Sequence, residues 1–329
     1  MAGVQGVELA LAVSGAGALG SLPCAMLTPQ AVREAMVQIQ AQSSTVNLNF
    51  FCHTPPPPDP AGEATWRLLL APYYREIGLD VAASVPSLAR EPFTEAMADV
   101  LAPFRPAVIS FHFGLPSDDL LARVRSWGSR IMSSATTVEE ALWLEHKGVD
   151  AIIAQGLEAG GHRGMFLTDD TTTQLGVLAL VPQVVHKTRI PVIAAGAIGD
   201  AGAVAAAMAL GASGVQVGTS FLLCPEARTS ALHRAALQSD AARHTALTRL
   251  FSGRPARGIV NRVMRELGAQ EALAPAFPLA SAALAPLRQA AERQELDGFT
   301  PLWSGQNASA CKAVAAAELT RELVRGFTA

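Results

Sequence analysis

Charge is scarce in this 329-residue chain and balanced in sign: 25 Lys and Arg stand against 28 Asp and Glu, for a formal net charge of −3. That leaves no basic footprint for nucleic acid and no acidic tail. Cysteine is equally sparse. Cys24, Cys52, Cys224 and Cys311 are the whole complement, and their spacing fits neither a metal site nor a disulfide framework. Such usage suits a reducing cytoplasm, with no metal called for. The N-terminus, MAGVQGVELALAV, lacks the basic region of a secretory signal. An uninterrupted apolar run is missing too. The longest apolar tract, about Ile190 to Leu223, carries Asp200, Gln216 and repeated glycines, so it reads as strand, helix, strand rather than a membrane span.

What is present is apolar bulk. Half of the residues are hydrophobic, enough to bury the core of one large α/β domain with an insertion. Short β-branched or apolar runs alternate with alanine-rich helical stretches, the pattern of a parallel sheet with helices outside it. Strands are expected at Leu19–Leu22, Val46–Phe50, Ala107–Phe111, Arg130–Ser133, Ala151–Ala154, Val192–Ala195 and Gly214–Val217. Thr137 caps a helix that carries Glu139 and Glu140 in its first turn and stops at Gly148. Asp200 opens another that ends at Leu210-Gly211.

Seven strands are one short of a closed (β/α)8 barrel, and the missing first strand belongs before residue 1. A misassigned start, a lost strand and an ordinary initiator Met1 before a helix all remain open. After Pro225 the strand rhythm disappears, and residues rich in Ala, Arg and Leu continue to about Leu296. The expected organisation is therefore a barrel over 1–223, an inserted helical cap over 224–299, and a C-terminal segment over 300–329. Within that segment Ala313–Phe327 forms an amphipathic helix returning to the barrel wall. The prolines at 55–58 make a stiff extended loop after a strand.

In such barrels the loops at the C-terminal strand ends build the active site, and those after the last two strands hold phosphate. Here they are Ala195-Gly196-Ala197-Ile198-Gly199 and Gly218-Thr219-Ser220. Glycines let backbone N–H groups approach phosphate oxygens. The sharpest stretch is AQGLEAGGHRG, 154–164. Gln155 closes the strand with an amide that both donates and accepts, suited to the polar edge of a ring. Gly160 and Gly161 permit a tight path, and His162 is presented above the barrel mouth, where an imidazole can move a proton or hold an anion. His53, His146, His186, His233 and His244 lack such neighbours and read as structural.

AQGLEAGGHRG resembles the glycine–histidine motif of nitronate monooxygenases, once called 2-nitropropane dioxygenases. NLNFFCHTPPPPDP (47–60), SFHFG (110–114), IPVIAAGAIGD (190–200), GVQVGTSFLLCPE (214–226), FSGRPARGIVNR (251–262) and PLWSGQ (301–306) resemble that family's segments in order. The resemblance implies an FMN-dependent oxidoreductase on a (β/α)8 TIM barrel, acting on a nitronate and O2, with room for a homodimer. It implies His162 as the catalytic residue. Flavin contacts would fall to Asn47, Asn49, Gln155, Gly160, Gly161, Gly196, Gln216, Gly218 and Thr219. Met1, Ala2 and Gly3 would join them, since Met1-Ala2-Gly3-Val4 stands where the family has a Pro-Met-Ala-Gly-Val-like loop. Trp303, Gly305, Gln306 and His112 would line the substrate. Arg254, Arg257 and Arg262 suit either an anion or a helix surface. Ser133 and Ser134 stand where some relatives carry a lysine. An FMN-dependent enoyl-(acyl carrier protein) reductase and a flavin-binding protein with little catalysis remain the alternatives.

Overall fold

The computed structural model describes residues 3–42, 45–84 and 90–328. All seven expected strands are there: β1 (Gly20–Pro23), β2 (Val46–Phe51), β3 (Val108–His112), β4 (Arg130–Ala135), β5 (Ala151–Gln155), then β7 (Val192–Ala195) and β8 (Gly214–Gln216). A two-residue strand, β6 (Gly161–His162), lies between β5 and β7 in the chain but outside their sheet. The sheet order is β1-β2-β3-β4-β5-β7-β8, with every neighbouring pair parallel. This is the strand order of a (β/α)8 barrel, curled but open, with β1 and β8 as its edges among the described residues. Helix Val7–Gly15 precedes β1 and packs on it.

Strand alternation sorts the side chains. Leu48, Phe50, Ile109, Phe111, Ile131, Ile152 and Ala194 point outward and are buried under the surrounding helices. Each such large side chain contributes ~1.5–3 kcal/mol by leaving water. The inward positions are more polar. Asn47 donates to Ser21 Oγ (2.9 Å) and Ser110 Oγ (2.8 Å), and Asn49 donates to Ser110 Oγ (2.9 Å). A network of this kind has no place in a sealed apolar core, and it sits where a polar ligand would enter.

Helix caps follow the sequence closely. Thr137 Oγ1 accepts from Glu140 N–H, and Asp200 Oδ1 accepts from Ala203 N–H. The C-terminal helix, Ala316–Val324, buries Ala316, Leu319, Thr320 and Leu323. Gly326 just beyond it lies so close to helix Ala201–Ala209 that a Cβ would meet Ala201 O at 2.3 Å.

Between Glu226 and Leu296, where helices alone were expected, two strands appear: β9 (Thr245–Thr248) and β10 (Ala256–Ile259). They pair antiparallel, and β10 also pairs with β6, giving a second sheet of order β6-β10-β9. Four residues each is too short for a period-two signal. Gly258 also disguised β10 as a break, although the strand requires it: a Cβ there would lie 2.9 Å from Leu302 O. Around this sheet, helix Pro60–Ile77 packs Trp66, Leu70, Tyr73 and Tyr74 against Leu284 and Leu287 of helix Ala280–Arg293, forming a second core.

Candidate active site

The register of β6 against β10 sets Ala256 opposite His162 and Arg257 opposite Gly161. His162 is thus carried on a short ladder, more rigidly than a free loop would carry it. Gly161 takes φ +76°, which an L side chain rarely adopts. Gly160 is needed for another reason: a Cβ would sit 2.4 Å from Gly305 N, where the C-terminal segment crosses.

Three side chains fold this loop back on the end of β5. Gln155 Nε2 donates to His162 O (3.0 Å) and Gln155 Oε1 accepts from Gly164 N–H (2.7 Å). Arg163 is wholly buried and donates to Gln155 O (2.7 Å), Gly156 O (2.6 Å) and Gln174 Oε1 (2.9 Å). Burial draws its pKa down to about 10. His112 Nε2 lies 3.2 Å from His162 O and its Nδ1 lies 3.0 Å from Ser134 Oγ. A carbonyl only accepts, so Nε2 carries the proton and the serine hydroxyl donates to Nδ1. Burial holds His112 neutral, with its pKa lowered to about 3.

The His162 ring stands among Phe51, Phe113, Phe277 and Trp303, with centroids 5.5–6.3 Å away. Its Nε2 lies 2.8 Å from Ser252 Oγ. Burial, then the charge of Arg90, pushes its pKa well below the usual histidine range; His112 and Arg254 act in the same direction.

Beside this ring are unpartnered nitrogens. Arg254 lies over Phe113 at 4.2 Å and Arg90 over Phe277 at 5.9 Å, while the His53 ring meets Phe277 at 4.7 Å. Among the described residues, Arg254 Nη1, Arg90 Nη1 and His53 Nδ1 are buried with no hydrogen-bond partner. Buried polar groups are ordinarily paired, so three around one aromatic box mark a place for an anion. Arg257 and Arg262 do not share it. Arg257 bonds Leu157 O, and Arg262 is ion-paired to Glu76 and Glu266.

At the other end of the mouth Gly196 takes φ +125° and Ala197 φ +56°. Ala197 O accepts from Asn307 Nδ2, and Thr219 Oγ1 accepts from Gly305 N–H. Among the described residues, Ser220 Oγ is buried without a partner, as is Asn47 Oδ1 inside the barrel. Gly218 opens the turn Thr219–Phe221, and Gln306 N–H is bound to Glu158 O. Gln216 is exposed at the end of β8, and Gly3 is exposed with φ +85°. Met1 and Ala2 lie outside the described residues. The structure therefore brings His112, Gln155, Gly161 and Trp303 to His162, and gathers Gly196, Thr219, Gly305 and Gln306 where the C-terminal segment crosses the strand ends. Ser252, Arg90, His53, Phe277 and Arg163 stand around the same ring or brace its loop as well; the sequence reading set His53 aside as structural and did not single out the other four. Only FSGRP, within a segment resembling the family, carried a hint of Ser252.

A family model described as "Nitronate monooxygenase" matches residues 1–326. A nitronate monooxygenase of Paraburkholderia phytofirmans is 41% identical, covering 99% of this chain and 90% of its own. One of Pseudomonas aeruginosa is 39% identical, over 98% and 93%. Among solved structures, a nitroalkane oxidase from Streptomyces ansochromogenes superposes with a TM-score of 0.90 at 34% identity, covering 100% of this chain and 95% of that one.

Proposed function

The chain belongs to the nitronate monooxygenase family, a flavin oxidoreductase acting on nitronates, and we propose that it uses FMN and O2 to convert alkyl nitronates to a carbonyl compound and nitrite. The observation that carries this reading is the aromatic box around His162, against whose rings Arg90, Arg254 and His53 hold buried nitrogens with no partner among the described residues. A nitronate is an anion, and hydrogen bonds from such groups to an anion are stronger than neutral ones.

The residues present fit a phosphorylated flavin. Asn47 Oδ1 is a buried acceptor with no donor among the described residues, suited to a ring imide N–H. The Gly196 and Gly218 loops, with the unpartnered Ser220 hydroxyl, suit a phosphate. Bound FMN supplies the electron acceptor. The chain's own residues seat the anion through Arg90 and Arg254, exclude water with Phe51, Phe113 and Phe277, and hold a neutral imidazole against the reacting group. His162 donates to the nitronate, or removes the α-proton where a neutral nitroalkane is taken. We assign the flavin to residues 1–223, a cap to 224–299 and a closing segment to 300–329. The enoyl reductase alternative is not favoured, because the relatives at 39–41% identity are nitronate monooxygenases.

Purified protein is expected to be yellow, to release FMN on denaturation, and to consume O2 and form nitrite with propyl nitronate. His162→Ala should lose that turnover while keeping the flavin. A flavin-loaded sample that does not turn over nitronates, or a fully active His162→Ala variant, refutes the assignment.

A further inference from the structure

We propose that Ser252 is a positioning residue that commits Nε2 of His162, making Nδ1 the ring nitrogen that meets the substrate. This rests on reading His162 as the group that handles the nitronate.

Ser252 is 1% exposed and its hydroxyl lies 2.8 Å from His162 Nε2, a full-strength hydrogen bond. The turn that carries it cannot drift. Its neighbour Gly253 takes φ +88°, and a Cβ there would stand 2.1 Å from Pro275 O. The turn is thus pressed against the strip that ends in Phe277, one wall of the same box. The backbone of His162 is pinned separately, by Gln155 and His112 on its carbonyl and by the β6–β10 ladder. Only rotation of the ring is left, and Ser252 removes it. Among the described residues, no group bonds Nδ1.

The serine hydroxyl has one proton and two ways to place it. Its Oγ is 3.4 Å from Arg254 O and 3.4 Å from Arg254 N. When the hydroxyl donates to Arg254 O, it accepts from His162 Nε2–H, and Nδ1 is left as a base. When it donates to Nε2, it accepts from Arg254 N–H, and Nδ1–H becomes a donor. The ring is neutral in both. An anionic nitronate favours the second arrangement, because an N–H aimed at it stabilises its charge. A neutral nitroalkane requires the first. One serine therefore serves both forms of the substrate without moving the imidazole.

The test pairs two sets of variants on the FMN-loaded enzyme. An Asn side chain puts its amide where Nδ1 stands and a Gln side chain puts it nearer Nε2, so His162→Asn should exceed His162→Gln in kcat/KM by roughly tenfold or more toward a preformed nitronate. Ser252→Ala should lower kcat about tenfold or more while KM changes little, and Ser252→Thr should recover part of the loss by restoring the hydroxyl. Ring-nitrogen NMR, with the His162 signal identified by its absence in His162→Ala, should show a tautomer pattern in the native enzyme that changes in Ser252→Ala. If His162→Gln equals or exceeds His162→Asn, or if Ser252→Ala keeps both native kcat and the native ring signal, the inference is overturned. When His162→Ala is inactive in that case, the proposed function stands and only the role of Ser252 falls. A fully active His162→Ala removes both.

Discussion

The side-chain amide of Gln155 donates to the carbonyl of His162 at 3.0 Å and, through its oxygen, accepts from Gly164 N–H at 2.7 Å. An amide that looked suited to a flavin edge is thereby largely engaged in shaping the loop that presents the histidine. Gln155→Leu matches its volume and removes both bonds. Leaving two loop backbone groups unpaired costs about 1–3 kcal/mol each, and displacement of the imidazole by an ångström can cost on the order of a hundredfold in rate. The expected outcome is a lower urea midpoint together with a fall in kcat larger than any rise in KM. Gln155→Glu, which keeps the acceptor and loses the donor, should fall between the two.

Arg163 is a cation with no exposure and three neutral acceptors: Gln155 O, Gly156 O and Gln174 Oε1. Through Gln174 and Thr136 it is connected to Glu140, whose carboxylate accepts from the N–H groups of Phe166 and Leu167. The chain of bonds braces both sides of the His162 loop. Arg163→Met should destabilise the protein by about 3 kcal/mol or more, since the buried carbonyls lose their donors. Equilibrium urea unfolding measures this. A variant within about 0.5 kcal/mol of wild type would show that the brace contributes little.

These two residues also show what a linear reading can reach. The seven strands and the Thr137 and Asp200 caps were legible because each signal is local: an apolar run, or an oxygen three residues before the N–H it accepts from. His162 was legible from its adjoining glycines. Ser252 arrives through the pairing of β6 with β10, nearly a hundred residues apart in the chain, and no local pattern marks that pairing; Arg254 was one of three arginines suited to an anion, and nothing local set it apart from Arg257 and Arg262. His53 was set aside as structural, yet its Nδ1 has no partner among the described residues and lies beside Phe277. Gly160 was read as permitting a tight backbone path, and what its missing Cβ admits is the crossing of Gly305.

Three histidines here are held below the ordinary range, His53 to about 4, His112 to about 3 and His162 well down, chiefly by burial. A folded-state pKa that is depressed means the unfolded chain binds protons first as pH falls. Stability is then unaffected above about pH 6.5 and declines as pH drops from there toward 4. For buried His53 the loss at pH 5 is about 2 kcal/mol. Urea midpoints should fall between pH 7 and pH 5, and His53→Gln should show a shallower decline than wild type. Parallel slopes for the two would mean that His53 does not remain neutral in the folded state.

Arg254 offers a way to separate a binding group from a structural one. Its Nη1 is buried with no partner among the described residues and its guanidinium rests on Phe113, so the fold gains little from its charge. Arg262 is the contrast, ion-paired to Glu76 and Glu266 away from the histidine box. Losing a hydrogen bond to an anionic substrate is worth about 1.5–3 kcal/mol, so Arg254→Met should raise KM for a nitronate by roughly tenfold or more. The same change removes a poorly compensated buried cation, and the substrate-free enzyme should keep or increase its Tm. Arg262→Met should do the reverse, leaving KM near the native value with a small loss of Tm. Steady-state kinetics and thermal melts on both variants decide the matter. A rise in KM accompanied by a gain in stability is hard to obtain from a residue that merely holds the loop together. A loss of stability at Arg254 with KM unchanged would place it with the scaffold instead.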